Sequence, residues 1–176
     1  MKNLRELIRT IPDYPKPGIM FRDVTTLLGD ADGLRRAVSA LATRHKQSGI
    51  QKVAGIEARG FILGGAIAVQ LGAGFVPLRK RGKLPYTVVG HDYELEYGSD
   101  RVEMHRDAVS PGERVLLVDD LIATGGTAAA AIKLIERVGG TVVEACFLID
   151  LPDLGGSRRI AALGHAVHSL MAFAGE

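Results

Sequence analysis

The sequence predicts an α/β domain with a mostly parallel central sheet and helices on both faces of that sheet. Two stretches of the chain each have the pattern strand, helix, strand, and their strands are short apolar runs typical of the inside of a sheet. Such a βαβ unit places its two strands parallel. We expect the 176 residues to form one domain, residues 1–176.

The first βαβ unit follows an amino-terminal helix. Apolar side chains at spacings of three and four predict that helix over Asp32–Ser48. Lys52–Glu57 then has the pattern of a short buried strand, Gly60–Gly72 that of an apolar helix, and Gly74–Lys80 that of a second strand. These three segments predict the first pair of parallel strands.

The second βαβ unit lies in the carboxyl-terminal half. Arg114–Asp120 predicts a buried strand, about Gly126 to Val138 a helix, and Thr141–Asp150 another strand. A short helix and a final strand near Ala166–Phe173 complete the domain.

The segment between the two units breaks this order. Arg81–Asp92 has no sustained period and predicts a loop of about a dozen residues, a length at which loops in compact domains are usually functional or disordered. Tyr93–Tyr97 and Arg101–Asp107 then alternate apolar and polar residues, which predicts a hairpin with its turn at Gly98–Asp100.

Composition and charge exclude several classes of protein. Basic residues number 22 and acidic residues 20, so the net charge of +2 gives no reason to expect a nucleic-acid partner. The chain has no long apolar run, and its charged amino terminus lacks the apolar core of a signal peptide, so we expect no membrane partner. The single cysteine, Cys146, fits a buried thiol in a reducing compartment. We expect a cytoplasmic protein.

The segment Val115–Thr127 has the composition of a phosphate-binding turn. Its apolar strand ends at Asp119 and Asp120, and the chain then wraps into a helix. The glycines of this turn let backbone N–H groups approach an anion, and the helix amino terminus adds its positive dipole end. The loop lacks the lysine of a P-loop, so we expect a phosphorylated ribose and not a triphosphate. The loop residues are Ala123, Thr124, Gly125, Gly126 and Thr127.

The two acids beside this loop need an explanation, because carboxylates in contact with a phosphate would repel it. Asp119 and Asp120 make sense if they accept hydrogen bonds from ribose hydroxyls, or hold water on a Mg²⁺ that the ligand also binds. The alternative is an ordinary helix start preceded by an acidic strand end in solvent.

Four motifs, in order, resemble the type I phosphoribosyltransferases. Val115–Thr127 resembles their phosphoribosyl-pyrophosphate (PRPP) motif, and three further segments resemble the members of the family that act on adenine. These segments are Pro15–Leu28, Ala58–Phe61 together with Arg79–Pro85, and Leu95–Gly98. The match runs from near the first residue to about residue 150, and the closing stretch, with Leu151–Gly156 and His168–Phe173, fits more loosely.

The resemblance implies a fold, a reaction and partners. The fold is the family's sheet with a small hood over about residues 1–30 and a flexible lid at about residues 81–92. The reaction transfers phosphoribosyl from PRPP to N9 of adenine, with Mg²⁺ as cofactor, and gives AMP and pyrophosphate. The partners are these small-molecule substrates and a second copy of the chain in a homodimer.

The resemblance also distributes roles over the PRPP site. The loop at 123–127 binds the 5-phosphate, while Asp119 and Asp120 serve the ribose hydroxyls and, through water, Mg²⁺. Arg59, at a helix start just past a strand, faces the pyrophosphate. The remaining cations at the ends of the lid form what we call the basic cluster: Arg79, Lys80 and Lys83. Taken by themselves these charges would be a solvated patch, and we expect Arg81 to face solvent.

Base recognition falls by resemblance to Met20, Phe21 and Arg22. A purine needs an aromatic or aliphatic face for stacking, which Phe21 could supply, and the family uses mainly backbone groups along the edge of the base. Residue type alone favours a core anchor for Phe21, so its assignment to the base depends on the resemblance.

Proton chemistry is assigned by resemblance to Glu96. The alternation in Tyr93–Tyr97 places Glu94 and Glu96 on one face, where both could be solvated, and only Glu96 matches the family motif. The stretch Tyr86–Tyr93 matches no pattern of the family. The histidines show no ligand spacing and receive no role: His45, His91, His105, His165 and His168.

Three other functions compete with this one. A phosphoribosyltransferase for another base is disfavoured by Leu95–Gly98 and by the segment Phe21–Asp23. A PRPP-binding regulator without catalysis would carry an added nucleic-acid-binding element, for which this near-neutral chain offers no segment. A purely structural α/β module leaves the loop and the adjacent acids unexplained.

Overall fold

The computed structural model describes residues 3–95 and 98–175, without the side chain of Leu95. Its strands are β1 (Arg9–Pro12), β2 (Met20–Asp23), β3 (Lys52–Ile56), β4 (Gly74–Lys80), β5 (Val88–Leu95), β6 (Gly98–His105), β7 (Arg114–Ile122), β8 (Thr141–Asp150) and β9 (Val167–Ala172). Its α-helices are α1 (Thr25–Leu28), α2 (Ala31–Thr43), α3 (Arg59–Leu71), α4 (Gly126–Arg137) and α5 (Gly156–Ala162). Short 3-10 helices form at Leu4–Leu7 and Pro152–Leu154.

Seven strands form one sheet in the order β5-β6-β4-β3-β7-β8-β9. The five strands from β4 to β9 in this order run parallel, and β6 and β5 add an antiparallel edge. The units β3-α3-β4 and β7-α4-β8 are the two predicted βαβ units. The predicted fold class, a mostly parallel sheet flanked by helices, is therefore confirmed.

The apolar strands are explained by burial on both faces. In β7, Val115 and Leu117 pack into a core cluster with α4, whereas Leu116 and Val118 pack into a second cluster with α2 and α3. Each of these four side chains is fully buried. A strand covered on both faces loses the polar alternation of a half-exposed strand, which is why the run reads as continuously apolar.

The helix predicted over Asp32–Ser48 is too long, since α2 ends at Thr43. Three predicted strand and loop boundaries are also wrong. β7 continues past the acids to Ile122, because its pairing with β8 extends to Asp150. Gly98–Asp100 belongs to β6 and not to the hairpin turn, since Gly98 pairs with Leu95, and residues 96–97 lie outside the described residues.

The third wrong boundary concerns the lid loop, predicted over residues 81–92. β5 begins at Val88, so the loop is shorter by five residues. Two contacts hold residues 88–92 in an extended conformation. These residues pair with β6 from Val88 onwards, and Arg137 of α4 donates to the Gly90 carbonyl at 2.8 Å. Neither contact is visible locally in the sequence.

The amino-terminal residues form a separate layer. β1 and β2 pair antiparallel as a two-stranded sheet, followed by α1. This layer is tied to the carboxyl terminus, because the Arg5 and Arg22 guanidinium groups both lie over the Phe173 ring, at 4.1 and 4.6 Å from its centroid. It lies where the hood was expected.

Candidate active site

The site lies at the carboxyl ends of β3 and β7. The chain order of the sheet reverses between these neighbours, since β3 leads to β4 on one side and β7 leads to β8 on the other. Such a switch point leaves a crevice beyond the strand ends in an open α/β sheet, and ligands bind there. Glu57–Arg59 follow β3 and residues 123–127 follow β7, so the predicted site residues meet in this crevice.

The phosphate loop is shaped by a glycine that no other residue could replace without strain. Gly125, the N-cap of α4, has φ +77°, and a Cβ there would lie 2.9 Å from the Gly156 carbonyl oxygen. The loop and the start of α4 line a cavity of about 120 Å³. Because the first N–H groups of a helix have no intrahelical acceptor, this cavity offers backbone donors to an anion.

Asp119 and Asp120 occupy different surroundings. Asp120 is buried, and its Oδ2 accepts a hydrogen bond from Nε of Arg59. Asp119 accepts from the Asp120 backbone N–H at 2.8 Å and faces the crevice. Burial, and then the neighbouring Asp120 charge, raise the pKa of Asp119 well above its ordinary value. Gly60 permits this arrangement, since a Cβ there would lie 2.9 Å from Asp119 Oδ1.

The basic cluster is held by carboxylates. Glu57 accepts from Arg79 Nε and Nη2 at 3.1 and 3.2 Å, from Lys83 Nζ at 2.9 Å and from the Lys80 backbone N–H at 3.3 Å. The Lys80 ammonium pairs with Asp100 of β6 at 3.0 Å. The Arg79 hydrogen bonds first, and then those from Lys83 and the Lys80 backbone, lower the pKa of Glu57 to about 2 against the opposing effect of burial.

The β5–β6 hairpin reaches over the start of α4. The Tyr93 hydroxyl donates to Asp100 at 3.3 Å, and its ring lies beside Gly126. Tyr93, Lys80 and Asp119 line one cavity of about 230 Å³. Glu96, the predicted proton-transfer residue, comes three positions after Tyr93 and lies outside the described residues.

A larger cavity, about 570 Å³, separates the amino-terminal layer from the phosphate loop. Met20, Phe21 and Arg22, the predicted base-binding residues, line it together with Leu151 and Leu154. Its size and its mixture of apolar walls with charged groups are typical of a small-molecule site.

The three predicted base-binding residues differ in how their side chains are used. Phe21 is half-buried and packs edge-on against Tyr14, with ring centroids 5.2 Å apart. The Arg22 guanidinium donates to Thr10 Oγ1 at 2.6 Å and to the Ala174 carbonyl at 3.3 Å. Arg22 therefore ties the layer to the carboxyl terminus. Met20 is the most exposed of the three.

Several residues of the crevice were not found by sequence reasoning. Gly156 donates its N–H to the Ala123 carbonyl at 2.9 Å and supports the phosphate loop. The glycine pair in Leu151–Gly156 was a signal for such a close approach. The other residues that were missed are Glu57, Tyr93, Asp100, Leu151 and Leu154. Arg81 is exposed, as expected.

Comparison with known proteins agrees with this geometry. Residues 28–162 match the family model described as phosphoribosyl transferase domain, which is the class of protein that the sheet, the loop and the two acids define. The adenine phosphoribosyltransferase of Methylobacillus flagellatus is 64% identical over 171 residues, 97% of either chain. That of a Bradyrhizobium species is 65% identical over 174 residues, 99% of this chain and 97% of the relative. The chain belongs to the adenine phosphoribosyltransferase family, so the resemblance seen in the sequence is confirmed.

Solved structures of this family superpose closely. The adenine phosphoribosyltransferase of Rhodothermus marinus has a TM-score of 0.91 at 54% identity, covering 97% of this chain and 96% of that one. The Saccharomyces cerevisiae enzyme, solved with an imino-altritol bisphosphate and adenine, has a TM-score of 0.90 at 35% identity, with 96% of each chain covered. No helix in residues 3–95 and 98–175 is long and apolar enough to cross a membrane.

Proposed function

We propose that the chain transfers the 5-phosphoribosyl group of PRPP to N9 of adenine, giving AMP and pyrophosphate. One observation carries this proposal: Asp119 lines all three cavities of the crevice. The cavity at the phosphate loop (about 120 Å³), the cavity beside Lys80 (about 230 Å³) and the cavity under the amino-terminal layer (about 570 Å³) therefore meet at one carboxylate. A ligand with a phosphate, a central sugar and a pyrophosphate, next to a flat base, has this arrangement of parts.

The phosphate loop binds the 5-phosphate in this proposal. Gly125, Gly126 and Thr127 present backbone N–H groups at the amino terminus of α4, and the hydroxyls of Thr124 and Thr127 supplement them. Asp119 and Asp120 then lie where the ribose hydroxyls of a bound ligand would need acceptors.

The same two acids fit a Mg²⁺ requirement. Their donor set is carboxylate oxygen, the kind that Mg²⁺ prefers. Burial and the neighbouring Asp120 charge raise the pKa of Asp119, and a bound cation would offset both effects. Asp119 and Asp120 would hold the ion through water together with PRPP. When bound, Mg²⁺ supplies charge neutralisation on the pyrophosphate oxygens.

The leaving pyrophosphate is stabilised by Arg59 and the basic cluster. Breaking the bond between C1 and pyrophosphate builds negative charge on the leaving group and positive charge on the ribose ring. Arg59 lies at the floor of the crevice, where its side chain is 46% exposed and accessible to an anion. Arg79, Lys80 and Lys83 add positive charge from the lid side.

Adenine occupies the cavity under the amino-terminal layer. Phe21 and Leu154 line it and offer faces for the purine ring, and backbone groups of Met20–Arg22 lie along its edge. Adenine must lose the N9 proton as N9 attacks C1 of the ribose. Glu96 would assist this proton transfer by stabilising the charge that changes on the imidazole ring of the base. Closure of the lid excludes water, which otherwise competes for the ribosyl cation.

A base panel tests this function. The protein is incubated with PRPP, Mg²⁺ and each of adenine, hypoxanthine, guanine and xanthine, and the nucleotide formed is measured. We expect AMP from adenine as the main product. Turnover of hypoxanthine but not adenine would overturn the assignment of adenine as the substrate. Binding of PRPP without formation of any nucleotide would favour the alternative of a PRPP-binding regulator without catalysis. We also propose that the protein is cytoplasmic and forms a homodimer. Light scattering, which measures the molar mass in solution, tests the homodimer.

The role of Glu96 has its own test. Glu96→Ala should lower kcat by about 100-fold or more, the usual contribution of a positioned proton-transfer group, while the affinity for PRPP stays unchanged. Glu94→Ala, two residues earlier on an exposed position, is the matched control and should retain activity. Near-normal turnover by Glu96→Ala would show that another group manages the proton.

A further inference from the structure

Outside the crevice, three metal-ligating side chains meet in the interior: His45, Glu144 and Cys146. Among the described residues, their ligand atoms lie within 4.8 Å of one another. All three residues are buried, with 5%, 7% and 0% of their surface exposed. Glu144 and Cys146 lie two positions apart on β8 and so share one face of the sheet. His45 follows α2, which packs on that face.

We propose that these three residues form a binding site for a zinc-class divalent cation, separate from the PRPP site and independent of the proposed function. The ligands would be Nε2 of His45, one oxygen of Glu144 and the thiolate of Cys146. Thiolate and imidazole favour Zn²⁺ and Co²⁺ over Mg²⁺. The cluster lies near the middle of β8, whereas the phosphate loop lies beyond the carboxyl ends of the strands.

The distances within the trio carry the proposal. Cys146 Sγ lies 3.6 Å from His45 Nε2 and 3.4 Å from Glu144 Oε2. His45 Nε2 and Glu144 Oε2 are 2.9 Å apart. Tetrahedral zinc with Zn–S of about 2.3 Å and Zn–N or Zn–O of about 2.0–2.1 Å places its ligand atoms roughly 3.3–3.6 Å apart. Only the nitrogen–oxygen separation would have to widen, by about 0.4 Å on this geometry.

Arg44 positions the carboxylate for this role. Its Nη2 donates to Glu144 Oε1 at 3.1 Å, and its contacts to Oε2 are longer, at 3.4 and 3.5 Å. The oxygen nearest the imidazole and the thiol is thus the one with the longer Arg44 contacts. A charged partner that holds a ligating carboxylate in this way is typical of metal sites. The Arg44 side chain is 45% exposed, so this partner of the buried carboxylate also contacts solvent.

A fourth ligand position has a neighbour of suitable chemistry. His168 on β9 pairs in register with Cys146, and parallel partners point to the same face of a sheet. It is partly buried, and its register with Cys146 places it beside the cluster. Water or a rotated His168 would complete the coordination.

Binding requires proton rearrangement, which limits the affinity. The Cys146 thiol must release its proton to solvent as the sulfur–metal bond forms. His45 must carry its proton on Nδ1, which has no hydrogen-bond partner among the described residues. Without metal, the same groups form a hydrogen-bonded network in which the thiol and the imidazole both contact Glu144. The expected site is therefore weaker than a structural zinc site.

Cobalt titration tests the proposal on the full-length protein. The chain has one cysteine, so any thiolate-to-cobalt charge-transfer band reports on Cys146. Chelator-treated protein titrated with Co²⁺ alone should develop this band with tetrahedral d–d bands, saturate at one equivalent and lose both on addition of Zn²⁺. Absence of the band at excess Co²⁺ would overturn the proposal in the wild-type protein, without recourse to variants.

Variants assign the ligands. His45→Gln and Glu144→Gln should each weaken Co²⁺ binding at least tenfold, and circular dichroism checks that they fold. Band and affinity unchanged in both would overturn the site as drawn. Asp119→Asn with Asp120→Asn is the control for the PRPP side and should leave the thiolate band intact. His168→Gln determines the fourth ligand, since an altered d–d spectrum assigns it to the imidazole and an unaltered one to water.

Discussion

The two ends of the PRPP site are prepared for anions in different ways. The phosphate loop offers backbone N–H groups on a turn braced by Gly156, whereas the pyrophosphate end offers side-chain cations that carboxylates already hold. The first end needs no exchange of partners when a phosphate arrives. At the second end, the proposed site requires pyrophosphate to replace Glu57 and Asp100 as partners of the cations. On this proposal the phosphate loop is a preformed anchor, whereas the contacts at the pyrophosphate end would form and break in each turnover.

The largest effect is expected at the anchor. Gly125→Ala combines a positive φ with a Cβ 2.9 Å from the Gly156 carbonyl, so the loop must deform. We expect kcat/KM for PRPP to fall by about 100-fold or more, equivalent to ~3 kcal/mol. Steady-state kinetics measure this fall.

Gly72→Ala is the matched control for that experiment. Gly72 also has a positive φ, +67°, but a Cβ there meets nothing within 4 Å, and it lies at the end of α3 away from the crevice. It should lose about 1–2 kcal/mol of stability for the left-handed backbone and keep its activity. Equal activity losses in the two variants would show that the backbone strain, and not the loop, is responsible.

The next effect is expected at Arg59, which lies between the two ends. Arg59→Gln removes a cation from the floor of the crevice and leaves buried Asp120 without its partner. We expect kcat/KM for PRPP to fall by about 30-fold to 100-fold, at or just below the range for a lost transition-state contact of about 100-fold to 1,000-fold. Arg35→Gln removes a similar ion pair on the surface of α2, with Asp32, and should be silent. Similar kinetics for both variants would exclude Arg59 from the site.

A smaller change of opposite sign is expected at Glu57. Glu57→Gln removes the charge that competes with pyrophosphate for Arg79 and Lys83. We expect the pyrophosphate inhibition constant to fall by about threefold to tenfold, the scale of a partly exposed ion pair. Glu113→Gln, at the opposite end of the sheet, serves as control. Weaker pyrophosphate binding by Glu57→Gln would mean that Glu57 orients the cations and does not compete for them.

The smallest effect is on acid stability. The folded-state pKa of Glu57, about 2, lies below the usual glutamate value of about 4.3. Its ionised form therefore stabilises the folded chain above that usual value, and this stabilisation is lost as the pH falls from about 4.3 towards 2. Urea unfolding between these pH values should show a shallower decline for Glu57→Gln than for the wild type. Parallel curves would show that the ion pairs contribute no net stability.

Most of the fold could be predicted, because its strongest signals are local. β4 and β8 agree with the predicted segments at both ends, since each is an apolar run bounded by residues that break a strand. The edge hairpin was misplaced because its limits depend on partners distant in sequence. Val88 is fixed by His105, and Gly90 by Arg137 of α4.

The candidate site divides in the same way. The phosphate loop was visible because one continuous segment contains the strand, the acids and the glycines. The carboxylates that hold the basic cluster were not visible, because Glu57 lies 22 and 26 positions from Arg79 and Lys83. The His45–Cys146 contact spans 101 positions, which is why the scattered histidines showed no pattern.

The segment Leu151–Gly156 joins two compartments of the crevice. Its leucines form a wall of the base cavity, and Gly156 is bonded to Ala123 of the phosphate loop. A base that displaces this wall also displaces the cradle of the sugar phosphate. Occupancy of the two compartments is then thermodynamically linked, and the linkage is reciprocal: whatever factor PRPP adds to the affinity for a base, that base adds to the affinity for PRPP. The affinity for PRPP, measured in the presence of different purines, would then differ from one purine to the next in the same order as the protein's selectivity among them.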